Sequence, residues 1–243
     1  MADRRERIKV LLYRFQENDQ MKKLVDDSVA RACGISAARF TIINVPDRAP
    51  ALTDLSGVDA VIIGGAKWSV FEEVPNQAEL IEVIKAAREK KIPTFGICYG
   101  AQLLAHALGG EVVRDAENAE WGTFEMETSD DSFTDIIFAD VPFKFPAQCA
   151  HRDRIAKLPP AAIPLAFSKK CSIQAFTIPG ADIYGVQFHP ERSKSDYEAI
   201  LEERGKNYAG DLSSLEAIRA TLAETPDAES ILTKFFDRIV LQR

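Results

Sequence analysis

Through residue 110 the chain switches repeatedly between two hydrophobic periods, and each switch predicts a new element. Short apolar runs at 8–13, 40–45, 58–63 and 92–97 read as strands. Stretches at 19–33, 76–91 and 99–108 carry apolar residues at helical spacing, as in Leu80, Ile81, Val83, Ile84 and Ala87. Gly34, Pro93 and the pair Gly109-Gly110 supply stop signals. Strands that alternate with helices in this way predict an α/β fold, an open and mostly parallel sheet with helices on both faces.

Beyond Glu111 the rhythm changes to successive β-type runs at 111–114, 122–127, 145–150, 163–168, 173–178 and 183–188. They predict an extension of the sheet plus hairpins. From Ser193 the pattern is helical again, with one stripe of Leu212, Leu215, Ile218 and Leu222 and another of Ile231, Leu232, Phe235, Phe236 and Ile239. The expected organisation is a catalytic domain over 1–192 and a helical C-terminal extension over 193–243, packed on the same domain or on another subunit.

Composition narrows the function classes. A net charge of −7 without a basic patch argues against a nucleic-acid partner. No stretch reaches the roughly 18 apolar residues of a membrane span, and the segment after Met1 lacks a signal-peptide pattern. The four cysteines, Cys33, Cys98, Cys149 and Cys171, form no Cys-x-x-Cys pair and no disulfide framework. The cytoplasm is the expected compartment, and no metal or cofactor is expected.

The chemistry concentrates in Pro93-Thr94-Phe95-Gly96-Ile97-Cys98-Tyr99-Gly100-Ala101-Gln102. A strand runs through Gly-x-Cys-x-Gly directly into a helix, a nucleophile elbow with cysteine in place of serine. The helix N-terminus favours a thiolate at Cys98. A base is needed, and there are three histidines. His106 falls roughly 12 Å along the helix from the nucleophile. His151 follows a strand but has no evident orienting partner. His189 ends an apolar strand and is followed by Pro190-Glu191, so Glu191 can fix its tautomer. Cys98, His189 and Glu191 are the expected catalytic residues. The backbone N–H groups of Tyr99 and Gly65, the latter in the loop after a strand, are the expected oxyanion donors.

These segments, together with Ile62-Ile63-Gly64-Gly65, Leu108-Gly109-Gly110, Gln174-Ala175-Phe176 and Gly185-Val186-Gln187-Phe188-His189-Pro190-Glu191, resemble the class I, triad-type glutamine amidotransferases, from about residue 8 to 192. Glu120-Trp121-Gly122-Thr123 and Ala150-His151-Arg152-Asp153 look closest to stand-alone proteins similar to the glutaminase domain of GMP synthase. The resemblance implies a flavodoxin-like fold and a Cys98 γ-glutamyl thioester that releases ammonia and then glutamate. It also implies substrate contacts from Gln102, Glu120 and Gly122. One departure is Gly65-Ala66-Lys67-Trp68-Ser69, where the family usually has proline and a small polar residue after the glycines.

Glutamine or a γ-glutamyl small molecule is the expected substrate. The chain has no ATP-binding loop, so an ammonia acceptor would be a separate synthetase chain. A second copy of the chain, as in a homodimer, is a further candidate partner. Two other readings remain: a stand-alone γ-glutamyl hydrolase or peptidase with the same triad, and a non-catalytic regulatory subunit.

Overall fold

The computed structural model describes residues 4–206 and 212–243, with the side chains of 206, 212 and 213 excepted. Strands β1 (Val10–Arg14), β2 (Phe40–Asn44), β3 (Ala60–Ile63) and β4 (Thr94–Ile97) alternate with helices α1 (Asp19–Cys33), α2 (Gln77–Glu89) and α3 (Tyr99–Ala107). Seven strands follow: β5 (Glu111–Arg114), β6 (Glu120–Thr128), β7 (Lys144–His151), β8 (Asp153–Lys157), β9 (Ile163–Ser168), β10 (Ala175–Ile178) and β11 (Ile183–Val186). Helices α4 (Lys194–Lys206), α5 (Leu212–Thr221) and α6 (Pro226–Arg238) complete the order.

Among the described residues, nine strands form one sheet in the order β2-β1-β3-β4-β11-β10-β9-β6-β7. The first five are mutually parallel. The remaining pairings are antiparallel and extend that parallel centre. Strands β5 and β8 form a separate antiparallel pair. The sequence reading has no strand over β8, because Asp-Arg-Ile-Ala-Lys carries one large apolar side chain, Ile155.

Period-two alternation divides the parallel strands between two cores. Val10, Leu12, Ala60, Ile62, Phe95, Ile97, Tyr184 and Val186 face one side, where α1 and α6 pack. Leu11, Tyr13, Val61, Ile63 and Ile183 face the other, against α2 and α3. Helices therefore cover both faces, as expected. Helix α1 has bounds legible in sequence: the Asn18 side chain accepts from the Met21 N–H at 2.7 Å, and Gly34 ends the helix at φ 63°.

The tail splits in two. Ile231, Leu232, Phe235 and Phe236 of α6 belong to the main core. Leu215, Ile218 and Leu222 instead pack on Tyr197 and Leu201 of α4 and on Ala150, in a small satellite cluster. Leu212, placed on that stripe by the sequence, has its side chain outside the described residues.

Candidate active site

Cys98 sits between β4 and α3 in a backbone conformation with φ 52° and ψ −107°, which L-residues seldom adopt. Close packing around it requires the flanking glycines. A Cβ at residue 100 would lie 2.0 Å from the Ile63 carbonyl oxygen, and one at residue 96 would lie 2.7 Å from the Ala101 nitrogen. Substitution of either would push α3 off the sheet and move the cysteine with it.

His189 follows β11, the strand beside β4, so it emerges at the same carboxyl edge as Cys98. Its Nδ1–H donates to Glu191 Oε1 at 2.7 Å, which leaves Nε2 for chemistry. The Gly65 loop closes the group. A Cβ there would lie 3.0 Å from His189 Cε1 and 3.6 Å from Cys98 Cβ, so this backbone approaches both closely and a side chain would crowd the imidazole. Tyr99 follows Cys98 as the first residue of α3 and lines the same cavity. The expected catalytic and oxyanion residues thus converge on one point.

Electrostatics set the resting protonation. Burial pushes the Cys98 thiol up to about 12, more than offsetting the pull of nearby Arg192 and the Tyr99 N–H toward thiolate. Burial, followed by the charge of Arg192, lowers His189 to about 4 despite Glu191. Desolvation thus opposes the helix terminus and disfavours the charged forms of both Cys98 and His189.

Cys98 and His189 open on a cavity of about 410 Å³. Its wall includes Gly65, Tyr99, Gln102, Arg192 and Arg204, and the Ala66–Lys67–Trp68 loop forms part of it. Lys67 Nζ lies 5.1 Å from the Trp68 ring centroid and pairs with Glu17 at 2.7 Å. Gln102 lines the cavity, but its amide nitrogen donates to the Asp153 carbonyl and to Gln187 Oε1, both at 3.0 Å. Gln187 in turn donates to the Cys98 sulfur at 3.6 Å. The sequence reading did not single out Gln187, which lies just past β11, two residues before His189.

Glu120 and Gly122 are placed differently from a substrate-facing pair. Glu120 is 1% exposed, and its carboxylate accepts from His151 Nε2 at 2.9 Å, Ser168 Oγ at 2.8 Å and Gln174 Nε2. Gly122, at φ 112°, lies against α5, where a Cβ would be 2.0 Å from Thr221 Oγ1. Neither lines the cavity among the described residues; Trp121 between them does. His151 also lines it and does have an orienting partner, Glu120, directly opposite it across β6 and β7. His106 is exposed on α3.

Glu120, Cys149 and His151 hold their polar atoms within 4.8 Å of one another. Both Glu120 oxygens are already engaged by protein donors, so this cluster works as a hydrogen-bonded lock.

Residues 18–206, which hold the elbow, the loop and the histidine pair, match the family model "Glutamine amidotransferase class-I". The chain belongs to the class I glutamine amidotransferases. It is 33% identical over 163 residues to the glutamine-hydrolysing GMP synthase subunit of Pyrococcus furiosus, a match covering 67% of this chain and 85% of that one. It is 36% identical over 151 residues to the GMP synthase of Flavobacterium psychrophilum, covering 62% of this chain but 28% of that enzyme. The fold is shared with a glutamine amidotransferase from Thermotoga maritima (TM-score 0.69, 24% identity, 96% and 98% of the two chains). It is shared also with one from Methylobacillus flagellatus (TM-score 0.70, 20% identity, 94% of each). Among the described residues, no helix of this amidotransferase is long and apolar enough to cross a membrane.

Proposed function

We propose that this amidotransferase hydrolyses the side-chain amide of glutamine through Cys98 and passes the ammonia to a synthetase on a separate chain. The observation that carries the hydrolysis is the His189–Glu191 pair, bound at 2.7 Å and packed with Cys98 against Gly65.

The steps follow from that geometry. Glu191 holds the His189 proton on Nδ1, so Nε2 accepts the Cys98 thiol proton as sulfur attacks the carboxamide carbon. The oxyanion forms beside the Gly65 and Tyr99 N–H groups. His189 returns its proton to the nitrogen, ammonia leaves, and a γ-glutamyl thioester remains. Water then gives a proton to His189 and attacks the thioester, so glutamate departs and the thiol is restored. Because burial disfavours the thiolate, proton transfer is coupled to substrate arrival rather than completed beforehand.

Transfer to a separate acceptor is supported by the relatives that are single subunits of GMP synthase and by the small fraction of the longer GMP synthase that the match spans. A second reading, a free-standing γ-glutamyl hydrolase, is favoured by one feature. The Lys67–Trp68 wall puts large groups at the mouth of a cavity roomier than a primary carboxamide requires.

The test is ammonia and glutamate release by the purified chain beside Cys98→Ala, with a panel of γ-glutamyl amides and peptides. Slow glutamine turnover that Cys98→Ala abolishes is the expected result. Rapid turnover of one larger γ-glutamyl compound selects the second reading. If nothing is turned over and a glutamine-like alkylating reagent leaves Cys98 unmodified, the catalytic assignment fails.

A further inference from the structure

Among the described residues, charge around the cavity is compensated everywhere except in one place. Lys67 pairs with Glu17 at 2.7 Å, Arg152 lies 3.7 Å from Glu72, and Asp153 is held by Arg114 and Ser69. Each lining histidine has its glutamate. Arg192 and Arg204 stand apart. Arg192 is 6% exposed; its Nε lies 3.2 Å from Glu191 Oε1, an oxygen already taken by His189, and its buried Nη1 has no hydrogen-bond partner among the described residues. Its guanidinium is held over the Tyr197 ring, 5.6 Å from the centroid.

Arg204 lies seven residues after Tyr197 on α4, hence on the same helix face two turns on. It lines the cavity and keeps solvent access, and no carboxylate pairs with it among the described residues. Arg192 lines the same cavity, and desolvation, then the charge of Arg192, lowers the proton affinity of Arg204. Two guanidiniums on one wall, Arg192 sharing its only carboxylate oxygen with His189 and Arg204 paired with none among the described residues, form an anion receptor.

The substrate supplies a matching anion. Glu120 and Gly122, expected at its amino-acid end, are turned into a polar lock and against α5 respectively. We infer that Arg192 and Arg204 receive the α-carboxylate of the γ-glutamyl group. The inference rests on the glutamine-hydrolysis reading of the same site. Arg192, backed by Tyr197 and Glu191, is the fixed half of the receptor, and Arg204 on the rim is the half that meets incoming substrate. A carboxylate bridging the two would remove their mutual repulsion while setting the carboxamide toward Cys98.

The test compares L-glutamine with 4-aminobutanamide, which is glutamine without its α-carboxylate, in the wild type, Arg204→Ala, Arg204→Lys and Arg192→Gln. Arg204 is on the surface, so its variants fold even if Arg192→Gln does not. Arg204→Ala is expected to raise the glutamine KM about 10- to 100-fold with a much smaller change in kcat, as for loss of one charge-assisted contact. The same change leaves 4-aminobutanamide turnover nearly unaltered, and Arg204→Lys recovers part of the glutamine affinity. An unchanged glutamine KM, or an equal loss on both substrates, overturns the receptor while leaving hydrolysis standing. Calorimetric binding of L-glutamine to Cys98→Ala, alone and combined with Arg204→Ala, separates the two failures. Arg204-dependent binding without wild-type turnover keeps the receptor and rejects hydrolysis; no binding and no turnover rejects both.

Discussion

His189 and His151 each hold a glutamate through one ring nitrogen, at 2.7 Å and 2.9 Å, and both line the same cavity. They use opposite nitrogens. His189 commits the proximal Nδ1 and keeps the distal Nε2, whereas His151 commits Nε2 to Glu120. Their carboxylates differ too. Glu120 accepts from three donors on three segments, while Glu191 Oε2 is buried without a partner among the described residues and Oε1 is shared between His189 and Arg192. A saturated network fixes a unique geometry and has no capacity left for chemistry. An incompletely satisfied pair at a strand end retains it. Residue type alone does not distinguish the two; the hydrogen-bond inventory does.

Exchanging the two histidines' roles by mutation gives the largest contrast. His189→Gln should lower kcat about 10²- to 10⁴-fold, the range for a lost acid–base group, with the fold intact by circular dichroism. His151→Gln should keep most of kcat; a loss as large as that of His189→Gln would make His151 part of the chemistry. The carboxylates sharpen the difference. Glu120→Ala strands three donors and should destabilise the chain by about 3 kcal/mol in urea unfolding. Glu191→Gln should instead act chiefly on kcat.

The pH dependence of stability probes the pair without mutation. The unfolded imidazole takes up its proton near 6.5 and the folded His189 near 4, so the folded state loses stability as pH falls through that window. Between pH 7 and pH 5 the loss should be about 2 kcal/mol, seen as a lower denaturation midpoint and absent in His189→Gln. Glu191, whose pKa is also lowered, adds stability that is lost at still lower pH. The smallest effect belongs to the rim. Trp68→Ala should shift the preference between glutamine and larger γ-glutamyl amides by about tenfold or less, read as a ratio of kcat/KM values.

What the sequence disclosed divides along the same line. The convergence of Cys98, His189 and Glu191 was legible because they sit in contiguous segments whose spacing itself encodes strand, turn and helix. The parallel strands were legible because β1, β3 and β4 are apolar on both faces. The Glu120–His151 pair was not, since it depends on the β6–β7 register across a connection that no local pattern specifies. Arg204 reads as one more charge on a polar helix until α4 is docked beside the cavity. The upward push on the Cys98 thiol likewise comes from burial by distant segments, which opposes the helix terminus visible in the motif.

Helix α6 also sets the order in which the molecule can close as it is made. Its Phe235 ring meets Phe95 of β4 at 5.2 Å and Tyr184 of β11 at 6.1 Å between centroids. A ribosome that has released residues through Arg204 has delivered every side chain lining the cavity. The sheet face that carries Phe95 and Tyr184 then has α1 but still lacks its α6 cover, because contacts between distant segments wait for the later segment to exist. A nascent chain at that stage presents apolar surface to chaperones. Helix α6 is the latch: translation supplies the chemistry first and the shape that holds it afterwards.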